Sequence, residues 1–246
     1  MTGQPPAVDL EARLTRVRAR IAEAAAAAGR APADVRLIGV TKTHPPELGR
    51  AAVAAGLVSL GENRVQELLA KLPQVPGAQW HLVGNLQRNK VKDVVGRAVL
   101  VHTLDRRSLA DALSRRAEQQ GTVQRVLVQV NVADDPAKHG CPCDETLALV
   151  AYARDLPHLV VEGLMTVPPL PAGDDDPSEA ARPHFATLRR LRDDARKRFP
   201  EVVHLSMGMS ADLEAAVSEG ATMIRIGTAL FGPRQAGPWR PQEVGT

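Results

Sequence analysis

A chain of 246 residues, 44% of them apolar and with a formal net charge of only +3, can bury a large α/β core and lacks the strong basic excess of an electrostatically driven nucleic-acid binder. Three Phe, two Trp and one Tyr offer few platforms for stacking bases. No apolar run approaches the roughly 20 residues of a membrane span, and the opening MTGQPPAVDLEARL lacks the charged-then-apolar order of a signal peptide, so a cytoplasmic protein with no membrane partner is expected.

The first predicted element is a helix over residues 9–28, with Leu10, Leu14, Val17 and Ile21 at helical spacing and Gly29 as its stop. Short runs rich in Val, Ile and Leu then follow at 35–40, 57–60, 79–83, 99–103, 125–130, 160–165, 202–205 and 223–226. Such runs read as buried parallel strands. Helical stretches fill the gaps, at about 46–55, 62–71, 86–95, 106–119, 144–155, 178–198 and 210–219. Strands alternating with helices in a chain of this length predict one closed (β/α)8 barrel over residues 1–246, preceded by an extra N-terminal helix. An open doubly wound sheet is the alternative, but no Gly-x-Gly-x-x-Gly follows the first strand. Residues 1–8 and 235–246 read as flexible tails. The segment from Pro168 to Pro183, with Asp174–Asp176 at its centre, reads as a loop, either a lid or a surface insertion. Cys141 and Cys143 are too close for an ordinary disulfide and form no zinc pair by themselves, so they read as free thiols.

In a barrel, functional groups gather at the C-terminal ends of the strands. The first strand ends in Thr41-Lys42-Thr43, directly after the apolar LIGV. A partly desolvated lysine there is a usable amine nucleophile for an aldehyde, and the bland alternative is an ammonium that snorkels to water. Ser206, Gly208 and Ser210 after the seventh strand, with Gly227 and Thr228 after the eighth, offer backbone amides and hydroxyls to a phosphate. Ser210 is also a candidate N-cap. Arg225, between Ile224 and Ile226, should face the opposite side from both. A cation inside a barrel needs a partner, either a carboxylate or a ligand atom.

Seven motifs occur in order: VTKTHPPE, GENRVQEL, WHLVGNLQRNK, VHTLDR, VQVNVADDPAKHG, GLMTVPP and HLSMGMSADLEAAVSEGATMIRIGTALFGPR. Together, from about residue 9 to Arg234, the chain resembles the pyridoxal phosphate homeostasis protein family, itself similar to the N-terminal barrel of alanine racemase, the fold-type III class. The resemblance implies pyridoxal 5′-phosphate as cofactor, held as an aldimine on Lys42. It implies Ser206, Ser210, Gly227 and Thr228 around the phosphate, Arg225 facing the pyridine nitrogen, and Asn63 and Met165 beside the ring. It implies Lys138 as an aid to cofactor transfer, and apo forms of pyridoxal-dependent enzymes as partners. Arg64, Asn85, Arg88 and Thr166 depart from residues common in the family, and put rim contacts rather than the cofactor residues in doubt.

Two-base racemisation needs a second acid/base on the far face of the ring. The chain ends soon after the eighth strand, and its one tyrosine, Tyr152, lies within a helical run, so a monomeric, non-catalytic carrier of the cofactor is expected. The alternatives are a low-activity racemase using His81 or His102 as second base, and an aldolase-type barrel enzyme with Lys42 as its amine. No metal is expected.

Overall fold

The computed structural model describes residues 7–171 and 173–233. Eight parallel strands close into a barrel in chain order: β1 (Arg36–Val40), β2 (Ser59–Glu62), β3 (Gln79–Leu82), β4 (Leu100–Leu104), β5 (Gln124–Gln129), β6 (Leu159–Met165), β7 (His204–Ser206) and β8 (Met223–Ile226). The ring shuts between its first and last members, with Ile38 opposite Arg225 and Gly39 opposite Ile226. The expected closed barrel is therefore the fold.

Around the strands run α1 (Ala7–Ala27), α2 (Pro46–Ala54), α3 (Val65–Lys71), α4 (Arg107–Gln119), α5 (Thr146–Arg154), α6 (Pro177–Arg198), α7 (Leu213–Ser218) and the single turn α8 (Thr228–Phe231). The extra helix α1 buries Leu10, Leu14, Val17 and Ile21, as their spacing predicts, and packs on α2, α7 and α8. Arg20 of α1 pairs with Glu214 of α7 at 2.7 Å and donates to the Ser210 carbonyl.

Period-two alternation divides the apolar residues into two layers. Ile224, Ile226, Leu164, Val126 and Val128 join the large core between strands and helices. Ile38, Leu100, Leu127, Met165 and Met223 form a second cluster inside the barrel. Arg225 alternates with Ile224 and Ile226, and so shares the inner face with Met223.

Several boundaries differ from the sequence expectation. The stretch expected as a helix at 86–95 is a 3-10 run, Arg88–Asp93, closed by i→i+3 bonds such as Val94 N to Val91 O. It is too short for a stable α-helix and is stopped at Gly96, where φ is +76°. The second strand begins at Ser59 and extends through Gly61 and Glu62. Those residues are poor strand formers, held extended by ladders to β1 and β3 on either side. The seventh strand lies two residues later than its valine run, at His204–Ser206.

The expected loop to Pro183 stops sooner, because α6 starts at Pro177. The Asp176 side chain caps it by accepting from Ser178 N at 2.8 Å, and Pro177 in the first turn needs no N–H partner. The expected tails fall outside the described residues, apart from residues 7 and 8, which begin α1. Among the described residues no helix is long and apolar enough to cross a membrane.

Candidate functional site

Lys42 lies one residue beyond Thr41, which follows β1, and is half-buried at the C-terminal mouth. The backbone on either side of it is fixed from below. Thr41 Oγ1 donates to Glu62 Oε1 at 2.6 Å. Lys71 Nζ donates to the Thr41 carbonyl at 2.7 Å and to the same Glu62 oxygen at 2.5 Å. Thr43, forced to φ +66°, donates its amide to Glu67 Oε2 at 2.8 Å. Glu62 and Lys71 are 0% and 1% exposed, so this is a buried ion pair and not a surface one. Burial raises the Glu62 carboxyl above the usual carboxylate range, against the opposing pull of Lys71 and Thr41. Sequence reasoning missed this support. Its one signal, Glu67 and Lys71 four apart, is also the pattern of an exposed helical pair.

Across the ring closure, Gly227 follows β8. A Cβ there would lie 3.3 Å from the Val40 carbonyl, so the missing side chain keeps the ends of β8 and β1 in close approach. The turn leads into α8, whose first amides, Thr228 and Ala229, have no intrahelical acceptor. The Thr228 side chain is exposed.

On the neighbouring turn after β7, Ser210 does not cap a helix as expected. Asp212 flanks α7 and accepts from Met209 N at 2.5 Å, while the Ser210 hydroxyl makes no hydrogen bond to another described residue. Gly208, at φ +94°, sits against Ala216 and Ile224, where a Cβ would approach to 2.4 and 2.8 Å.

Ser206 is placed differently from the other expected phosphate ligands. It is fully buried inside the barrel, where its Oγ accepts from Arg225 at 2.6 Å and lies 2.9 Å from His102 Nδ1. The guanidinium also donates to the Thr166 carbonyl at 2.8 Å. Among the described residues no carboxylate lies within ion-pair distance of Arg225, and Asp212 acts on it only through longer-range charge. Burial lowers the Arg225 pKa to about 10, which leaves it charged at neutral pH. Two of its five N–H donors are used by these bonds. His102 Nε2 in turn lies 3.0 Å from His81 Nδ1. Both rings are buried, and desolvation holds His81 down at about 3 and His102 well below its ordinary value, so both are neutral.

Asn63 follows β2 and is half-buried, and its carbonyl is so close to Gly84 that a Cβ there would stand 2.1 Å away. Met165 closes β6 as part of the inner cluster. Lys138, after β5, donates to the Pro168 carbonyl at 2.6 Å and so ties the loop after β5 to the loop after β6. Tyr152 lies outside the barrel, bonded to Asp111 at 2.6 Å under the guanidinium of Arg107. Cys141 and Cys143 are free, and burial pushes the Cys141 thiol up to about 11.

Residues 13–235 match the family described as alanine racemase, N-terminal domain. The chain is 45% identical to a pyridoxal phosphate homeostasis protein of Aquifex aeolicus, over 91% of this chain and 97% of that one. The structure of PipY from Synechococcus elongatus with PLP bound superposes with a TM-score of 0.79 at 35% identity, over 91% of this chain and all of that one. An alanine racemase of Clostridium difficile shares the fold, with a TM-score of 0.74 at 14% identity over 90% of this chain and 56% of that enzyme.

Proposed function

Because the chain belongs to the pyridoxal phosphate homeostasis protein family, we propose that it holds pyridoxal 5′-phosphate on Lys42 and supplies it to other proteins without turning over a substrate of its own. The observation that carries this reading is the ring closure: pairing of β1 with β8 sets the end of the Lys42 strand against the side-chain-free turn at Gly227, beside the buried cation Arg225. When bound, the cofactor supplies an aldehyde for reversible covalent attachment to an amine and a phosphate for anchoring.

The residues fit that group. The hydroxyl of Ser210, the hydroxyl and amide of Thr228 and the amide of Ala229 are donors without partners among the described residues, grouped after the seventh and eighth strands as a phosphate requires. Ser206 serves beneath them as the acceptor that orients Arg225. Arg225 is a permanent donor and no proton source, so it holds a ring nitrogen neutral by donating to it, which leaves a weak electron sink. Asn63 and Met165 border the ring. Lys138, linked to the loop after β6, assists release. The Thr41–Glu62–Lys71 cluster fixes the direction of Lys42 without touching a ligand.

A carrier reading is favoured over the racemase and aldolase alternatives by the state of the expected second bases. His81 and His102 are neutral, buried and engaged in the hydrogen-bond chain to Ser206, and Tyr152 lies on the outer face of the barrel. The test is spectral titration of the purified protein with pyridoxal phosphate, followed by mixing with an apo-enzyme that needs it. A near-visible band that appears on titration and declines as the apo-enzyme gains activity supports the reading. A protein that stays colourless, or robust Lys42-dependent racemisation, overturns it.

A further inference from the structure

The opposite, N-terminal mouth of the barrel holds a cavity of about 440 Å³. Its wall includes Arg36, Gln79, His81, Arg97 and Arg125, with Glu162 as its one carboxylate. Arg125 is paired with Glu162 at 2.6 Å. Arg97 makes only a long bond, 3.4 Å, to the Lys92 carbonyl, and the Arg36 guanidinium has neither a hydrogen bond nor an ion pair to any described residue. The cavity therefore carries a surplus of cationic donors.

At its inner end stands a group that needs an acceptor. His81 is 0% exposed and its Nε2 has no hydrogen-bond partner. Proton accounting along the buried chain assigns what that nitrogen carries. Arg225 can only donate, so Ser206 Oγ accepts from it. The Ser206 hydroxyl has no other acceptor among the described residues, so the arrangement that leaves it satisfied sends its proton to His102 Nδ1, at 2.9 Å. With Nδ1 accepting, neutral His102 bears its proton on Nε2 and donates it to His81 Nδ1, at 3.0 Å. Neutral His81 accordingly carries its proton on Nε2. A buried N–H without an acceptor is costly, and this one belongs to the wall of a cavity that also holds the guanidinium donors of Arg36 and Arg97.

We infer that the N-terminal mouth is a second binding site, for a small oxyanion such as a carboxylate or a phosphate, received by Arg36 and Arg97 with the His81 Nε2–H at its inner end. The site lies at the far end of the barrel from Lys42, and the inference does not rest on what Lys42 binds. The chain His81–His102–Ser206–Arg225 joins the two mouths through the interior.

The experiment is nitrogen-15 NMR of histidine-labelled protein, with the His81 signal identified by its loss in His81→Asn. Separate titrations use inorganic phosphate and succinate. The site predicts a saturable shift of the His81 Nε2 resonance with at least one of them, and the comparison tells which oxyanion geometry it prefers. Arg36→Gln and Arg97→Gln should each weaken the apparent affinity about tenfold, equivalent to about 1.4 kcal/mol. Ser210→Ala, at the other mouth, should leave the shift in place and so separates this site from any phosphate bound there. Absence of a saturable shift with both anions overturns the inference, as does a titration that neither arginine variant weakens.

Discussion

Arg225 on β8 donates to Ser206 Oγ on β7 at 2.6 Å, and the pair is sealed from solvent inside the barrel. The guanidinium thus meets a neutral hydroxyl and a peptide carbonyl instead of a carboxylate, and its charge stays available to whatever lies above it. Arg225→Leu should therefore cost about 1–3 kcal/mol by stranding the Thr166 carbonyl and removing the donor to Ser206 Oγ, which keeps its bond to His102. It should also weaken uptake of pyridoxal phosphate. Urea denaturation and spectral titration of the same variant measure the two effects.

Lys42→Ala should abolish the near-visible band formed on adding pyridoxal phosphate, while the fold persists, because Lys42 is half-buried at the rim and lies outside the core. Peptide mass mapping after borohydride reduction should find the label on Lys42 in the parent protein. A label on another lysine would refute the assignment.

Lys71→Met should destabilise the protein by about 3–5 kcal/mol, because Glu62 would remain buried and uncompensated. Replacing both partners, Glu62→Leu with Lys71→Met, should recover much of that loss. Chemical denaturation of the two singles and the double gives the coupling directly. If the double variant is the least stable of the three, the pair is not a self-contained unit.

Acid should unfold the protein partly through His81. Its folded pKa of about 3 lies below the ordinary 6.5, so the unfolded chain binds more protons between those values. The contribution is fully present above about pH 6.5 and is lost as the pH falls towards about 3, on the order of a few kcal/mol. Denaturation midpoints measured from neutral pH downwards should fall less steeply in His81→Asn than in the parent.

Lys138→Ala should break the link to the Pro168 carbonyl while leaving the Lys42 site intact. Equilibrium uptake of the cofactor should change little, and its delivery to an apo-enzyme should slow. A stopped-flow comparison of release in parent and variant distinguishes the two effects.

The strands were legible because runs of Val, Ile and Leu mark buried parallel strands, and so was the place of Lys42 at the barrel mouth, whereas LIGV alone left open whether that lysine is an amine nucleophile or an ammonium reaching water. Gly227 and Thr228 were legible for the same reason, as small residues directly after the last such run. Ser206 and Ser210 were not distinguishable by sequence. Which hydroxyl is engaged depends on His102 and Arg225, brought from β4 and β8 by closure of the ring. Lys71 was missed because its spacing from Glu67 fits a solvated helix face equally well. Only the burial of that face against the ends of β1 and β2 makes it internal.

The pairing of β1 with β8 gives ligand capture a timetable. Lys42 is made on the ribosome well before Arg225, Gly227 and Thr228. No partial barrel can present both, so a chain that stops short of β8 would have the amine without the turn proposed to anchor the phosphate. Loading then reports that the whole ring has shut. By mass action the bound ligand stabilises that closed state and no shorter intermediate.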